Sequence, residues 1–124
     1  MESVKITIYQ KPTCTTCRQV YAILTKSGVD FDSVNYYFEP LSAQKIKDLL
    51  FKMRMSPKDL MRKNEPIYKE LEIESKNFTD DHLIALMAKH PDLIQRPIVE
   101  RGAKAILARP AEKIKDILPF RRNK

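Results

Sequence analysis

Apolar and polar residues alternate at the start of the chain, with Val4, Ile6 and Ile8 separated by Lys5 and Thr7 and followed by Tyr9. A period of two in β-branched and aromatic residues predicts a strand over Val4–Tyr9. After a loop, Gln10-Lys11-Pro12-Thr13, the period changes. Val20, Ile23 and Leu24 recur at helical spacing between Cys17 and Lys26, and Gly28 is a helix stop. Phe31–Tyr37 is a second β-leaning stretch. Glu39-Pro40-Leu41-Ser42 then turns the chain into a helix with Ser42 as N-cap and Ile46, Leu49, Leu50 and Met53 along one face. Two strands joined by a helix of this length can pair in parallel through a right-handed crossover, so the first third reads as a βαβ unit.

From Ser56 to about Lys89 no strand alternation is present. Two capping signals, Ser56-Pro57 and Thr79-Asp80-Asp81 ahead of Leu83, Ile84, Leu86 and Met87, predict helices instead. Ile98-Val99 and Ala105-Ile106-Leu107, separated by residues 100–104, predict a hairpin. Pro110-Ala111-Glu112 opens a last helix with Ile114, Ile117 and Leu118. The order is βαβ, helices, ββα, an α/β architecture.

A length of 124 residues suits one domain, 1–124, carrying a helical insertion around 42–92. No apolar run approaches the roughly 18 residues of a membrane span, and neither a basic leader with an apolar core nor a cleavage site precedes the first strand. A cytoplasmic protein without membrane contact is expected. The net charge of +7 favours anionic partners: small oxyanions, a thiol tripeptide with carboxylates, or an acidic protein surface. The tail Arg121-Arg122-Asn123-Lys124 contributes to that charge and is expected to be solvated. With only two glycines, a glycine-rich phosphate loop is excluded, so any anion site must be built from arginines and helix ends.

The chemistry-bearing motif is Cys14-Thr15-Thr16-Cys17, between the first strand and the first helix. There the first cysteine meets free N–H groups and the positive end of the helix dipole, which stabilise a thiolate. Cys14 is therefore the expected nucleophile. Two intervening residues let Cys17 reach it across the opening turn and resolve a mixed disulfide. Zinc would need two further ligands, for which only His82 and His90 offer themselves at a spacing unlike a finger. A structural disulfide or two inert buried thiols would also fit the pair. Arg96-Pro97-Ile98-Val99 supplies a proline at the start of the third strand, a candidate cis-proline facing the nucleophile.

Several of these segments together carry a resemblance: Ile6-Thr7-Ile8-Tyr9 with Pro12 and Cys14; Leu60-Met61-Arg62-Lys63-Asn64; Phe78-Thr79-Asp80-Asp81 with His90-Pro91; Arg96-Pro97-Ile98-Val99; and Arg109-Pro110. From Ile6 to about Leu118 the chain resembles the glutaredoxin-linked arsenate reductase family, which includes Spx-type regulators. The resemblance implies a thioredoxin/glutaredoxin-like fold and a first cysteine, Cys14, that attacks an oxyanion held by Arg62, Arg96 and Arg109. It implies no bound cofactor, with glutathione, glutaredoxin or thioredoxin as reductant. Wholly glutaredoxin-dependent members typically carry serine at the position of Cys17 and histidine at that of Gln10. A C-x-x-C is what Spx-type members show, as a redox switch on binding to RNA polymerase. Three functions follow: an oxyanion or disulfide reductase in which Cys17 or glutathione resolves the intermediate, a redox-sensing regulator that binds RNA polymerase without direct nucleic-acid contact, and a reductase of glutathionylated proteins.

Overall fold

The computed structural model describes residues 5–118. Four strands, β1 (Ile6–Gln10), β2 (Phe31–Asn35), β3 (Ile98–Arg101) and β4 (Lys104–Leu107), form a mixed sheet in the order β2-β1-β3-β4. β1 pairs antiparallel with β3 (Ile8 opposite Val99, Tyr9 opposite Ile98), and β3 pairs antiparallel with β4 (Ile98 opposite Leu107). Among the described residues five helices accompany them: α1 (Thr15–Ser27), α2 (Ala43–Met53), α3 (Pro57–Leu60), α4 (Pro66–Glu70) and α5 (Asp80–Lys89). Pro91–Leu93 and Ala111–Asp116 are 3-10 turns. The chain divides into two units, one formed by the stretches up to Val34 and from Arg96 onward, the other by Asn35–Gln95. None of the described helices is long and apolar enough to cross a membrane. The basic tail singled out in the sequence lies outside the described residues.

In the sheet unit, alternation does what a period of two dictates. Ile6 and Ile8 point to one side, at 1% and 0% exposure, and pack with Val20 and Leu24 of α1, Val99 of β3, and Ala108, Ala111, Ile114 and Ile117. Removing that much apolar surface from water, at about 25 cal/mol per Å², is the main force holding α1 on the sheet. α1 ends where expected, at Gly28, whose φ of +78° is left-handed and whose N–H bonds to Thr25 O. Ser42 caps α2 by accepting from Lys45 N, and Ser56 and Thr79 cap α3 and α5 in the same way. In the helical unit the buried apolar residues include Tyr36, Ile46, Leu49, Leu60, Met61, Ile73, Met87, Leu93 and Ile94. The Tyr36 hydroxyl donates to Ile94 O at 3.2 Å, so burying this phenol leaves no polar atom stranded.

Four details differ from the pattern-based expectation. β2 stops at Asn35, short of Tyr37, because the Asn35 side chain accepts from Tyr37 N and folds the chain into an Asx turn. The hairpin is tighter: Arg101 pairs with Lys104, leaving two turn residues, and Gly102 alone has a positive φ (60°), the pattern of a type II′ turn. Gln10 belongs to β1 rather than to the loop. The last helix is a 3-10 turn in the described residues, six residues long, with Ile114 and Ile117 buried in the same core.

A Cβ built on Gly28 would meet nothing within 4 Å, so a side chain there costs only backbone conformation. Gly28→Ala is expected to lower stability by about 1 kcal/mol, and Gly28→Asn by less, in urea unfolding. An unchanged midpoint for the alanine variant would contradict the left-handed cap.

Candidate active site

Two antiparallel pairings bring three separate stretches of sequence to one end of the sheet. Tyr9 opposite Ile98 sets the end of β1, and hence the cysteine loop, beside the start of β3, which Arg96 and Pro97 precede. Ile98 opposite Leu107 sets the end of β4, and hence Arg109, beside that same start. Ala108 N donates to Pro97 O at 2.9 Å and continues the ladder one step beyond the strands. The Arg96–Pro97 peptide is cis, and so is Arg109–Pro110.

Cys14 is the N-cap of α1. Its backbone is extended (φ −83°, ψ 129°), its N–H donates to Lys11 O at 2.9 Å, and its sulfur accepts from Cys17 N at 3.4 Å. A side-chain acceptor at N-cap bonding the third helical N–H is the normal cap arrangement, here with sulfur in place of oxygen. No acidic residue occupies the first turn, so no carboxylate there repels negative charge on the sulfur.

The surrounding groups favour a thiolate. Burial alone would raise the Cys14 pKa, but the Cys17 N–H, the Cys17 thiol and the charge and hydrogen bond of Arg96 outweigh it and hold it below the ordinary thiol value. Arg96 is itself 8% exposed, where its charge is poorly screened. Arg109 Nη1 lies 4.0 Å from the Cys14 sulfur and donates to Arg96 O at 2.8 Å, so one guanidinium braces the loop that carries the other. Cys17 behaves oppositely. It is 0% exposed, and burial, with the Cys14 sulfur adding to it, pushes its pKa up to about 12 against a smaller lowering contact with the Lys11 backbone. Both cysteines are free thiols.

The structure thus brings together Cys14, Cys17, Arg96, Pro97 and Arg109. Arg62 belongs to the helical unit, where its N–H donates to Leu93 O at 2.8 Å and its Nε to Glu65 at 3.1 Å. His90 is the C-cap residue of α5, and His82 lies on that helix against the Phe78 ring. Two contributors were not foreseen from the sequence. One is the Lys11 carbonyl that fixes Cys14. The other is Gln10, 6% exposed, whose Nε2 donates to Ser33 Oγ and ties the end of β1 to β2. Backbone groups carry no sequence signal, and a glutamine after a run of alternation gave no sign that it closes the strand.

At neutral pH iodoacetamide is expected to label Cys14 and leave Cys17 untouched until the protein is unfolded, as read by peptide mass mapping. Labelling of Cys17 in the native protein at a comparable rate would contradict the assignment of nucleophile and buried partner.

Comparison with known proteins gives this geometry its family. The ArsC family model matches residues 9–117. A protein named arsenate reductase from Acidiphilium multivorum is 41% identical over 92% of this chain and 81% of its own length. One from Escherichia coli K12 is 39% identical with the same coverage. Among solved structures, one described as an arsenate reductase from Vibrio cholerae superposes with a TM-score of 0.90 at 33% identity, covering 94% of this chain and 100% of that one. A putative arsenate reductase from Yersinia pestis gives 0.85 at 37% identity, covering 90% and 98%. A cysteine of lowered pKa capping the first helix, beside two arginines from the neighbouring strand ends, sits within a chain that belongs to the ArsC family, thiol oxidoreductases of thioredoxin-like fold.

Proposed function

We propose that the chain reduces arsenate to arsenite, with Cys14 as nucleophile and Arg96 and Arg109 binding the oxyanion. The observation that carries this reading is the Cys14 sulfur at the α1 cap, its pKa lowered by Cys17 and Arg96, with Arg109 at 4.0 Å. A tetrahedral oxyanion matches what lies around it: planar guanidinium donors and a helix N-terminus. The names of the relatives point to the same substrate.

The electrons balance in three steps. The Cys14 thiolate attacks arsenic, an arsenate oxygen leaves as water, and a sulfur–arsenic bond forms. A second thiol, from Cys17 or glutathione, then attacks the Cys14 sulfur. The electron pair of the sulfur–arsenic bond stays with arsenic, which departs as arsenite, while a disulfide forms. Glutaredoxin or thioredoxin, as dithiol reductant, returns that disulfide to thiols. A thiol with a pKa near 12 is a poor nucleophile in the resting protein.

A redox-gated regulator bound to RNA polymerase would use the same cysteines, but nothing in the comparisons favours it. Turnover of the pure protein with arsenate, glutathione and glutaredoxin or thioredoxin separates the classes. Steady arsenite production abolished by Cys14→Ser is the expected result. No turnover with any donor, together with retention of an RNA polymerase subunit, would support the regulator.

Two variants refine the mechanism. Arg96→Lys keeps charge but loses the fork, and arsenate affinity by calorimetry is expected to fall roughly tenfold, about 1.4 kcal/mol; equal affinity would remove Arg96 from the site. Cys17→Ser is expected to stall with an adduct on Cys14 until excess glutathione takes over resolution. Turnover that never needs added glutathione would show that Cys17 takes no part in it.

A further inference from the structure

Beside Cys14, on the β1–α1 face of the sheet unit, lies a cavity of about 360 Å³ lined by Gln10, Pro12, Arg18, Tyr21 and Ala22. That volume falls at the small end of ligand pockets. Its walls are preset. The Tyr21 ring is 43% exposed yet pinned edge-on against Phe31, with centroids 5.3 Å apart. Gln10 is tied to Ser33, and Pro12 has a fixed φ. Hydrocarbon dominates the lining through a proline, an alanine and a phenol ring, with the Arg18 guanidinium as its charged member. From Ser3 to Val29 there is no Asp or Glu, whereas Lys5, Lys11, Arg18 and Lys26 are basic; the next acidic residues along the chain, Asp30 and Asp32, flank Phe31, and Asp32 pairs with Lys5 at 3.7 Å. The groups that tune Cys14 are Cys17 and Arg96, so arsenate chemistry leaves this cavity unused.

We propose that this cavity is the docking subsite for the protein reductant: it receives an apolar side chain next to the reductant's attacking cysteine, while a neighbouring carboxylate meets Arg18. The proposal rests on Cys14 forming a disulfide that an outside thiol must open, and names what recognises that thiol's carrier. Pro12 and Arg18 flank Cys14 in sequence, two residues before it and one helical turn after it, and Arg18 N donates to Cys14 O at 3.0 Å, so the walls of the cavity begin next to the residue that a partner's cysteine must reach. Glutathione has carboxylates but no apolar side chain, and would leave the Pro12, Tyr21 and Ala22 walls wet. An acidic protein with an aliphatic or aromatic residue beside its cysteine satisfies both the walls and the charge of Arg18.

A thionitrobenzoate adduct on Cys14 of the Cys17→Ala protein isolates the recognition step from arsenate turnover, so failure here leaves the proposed oxyanion chemistry untouched. Release of thionitrobenzoate is timed with the amidated peptides Glu-Leu-Cys-Leu-Glu, Glu-Gly-Cys-Gly-Glu and Lys-Leu-Cys-Leu-Lys, with glutathione and with mercaptoethanol. Each rate is divided by that thiol's rate with free thionitrobenzoate disulfide. The leucine–glutamate peptide is expected to exceed both other peptides and glutathione by about tenfold, with the advantage over the lysine peptide shrinking as salt is raised. Ala22→Phe, which fills the cavity from an exposed helical position, is expected to erase the preference for leucine over glycine. Arg18→Glu is expected to reverse the preference for glutamate over lysine. Each variant is read as a ratio to its own mercaptoethanol rate, and its circular dichroism spectrum reports whether it has folded. Equal normalised rates for the leucine and glycine peptides, or preferences that survive both substitutions, would overturn the proposal. Glutathione outpacing every peptide would overturn it in favour of a small-thiol site.

Discussion

The hydrogen bond from Cys17 N to the Cys14 sulfur is the contact on which the rest of the site depends. One geometry satisfies three requirements. It caps α1 and gives an orphan N–H its acceptor. It stabilises negative charge on the sulfur. It also fixes the second thiol a single turn from the first, inside the core at 0% exposure. A serine or aspartate would cap the helix as well as Cys14 does but could form no covalent intermediate. Sulfur at this position trades a weaker acceptor for a reactive one, and the charge of Arg96 adds to the stabilisation that the Cys17 N–H gives.

That arrangement explains why the sheet is built as it is. Neither Arg96 nor Arg109 is near Cys14 in sequence, and they converge only because β3 is antiparallel to both β1 and β4. The pairings are held by the core of Ile6, Ile8, Val20, Leu24 and Val99, so register errors would move the arginines and the thiol apart together. Arg109 donates to the carbonyl of Arg96, so the two cations are positioned as a pair rather than independently.

Much of this is readable in the sequence, for identifiable reasons. Strand alternation at Ile6 and Ile8, the stop at Gly28 and the caps at Ser42, Ser56 and Thr79 are local signals, and local physics governs them. Cys14 and Cys17 are legible because their spacing and their place between a strand and a helix fix the chemistry. Residue type alone does not single out Arg96 and Arg109 among eight arginines; the motif resemblance does. What stays hidden depends on long-range or backbone partners: the Lys11 carbonyl, the Arg109 bond to Arg96 O, the Gln10–Ser33 tie and the cavity beside Tyr21. The premature end of β2 is hidden for another reason, since Tyr36 and Tyr37 read as strand formers while Asn35 captures the backbone with its own side chain.

The most direct test of the central claim, that the helix cap and Arg96 together lower the Cys14 pKa, is a pH titration of thiolate ultraviolet absorbance in the Cys17→Ala protein with and without Arg96→Leu. Because the Cys14 pKa is lowered, its thiolate should appear, as pH rises, below the ordinary thiol range. Removing Arg96 should move that midpoint upward while leaving the Cys17 N–H contribution in place. A midpoint at or above the ordinary range in the parent, or one indifferent to Arg96, would contradict it.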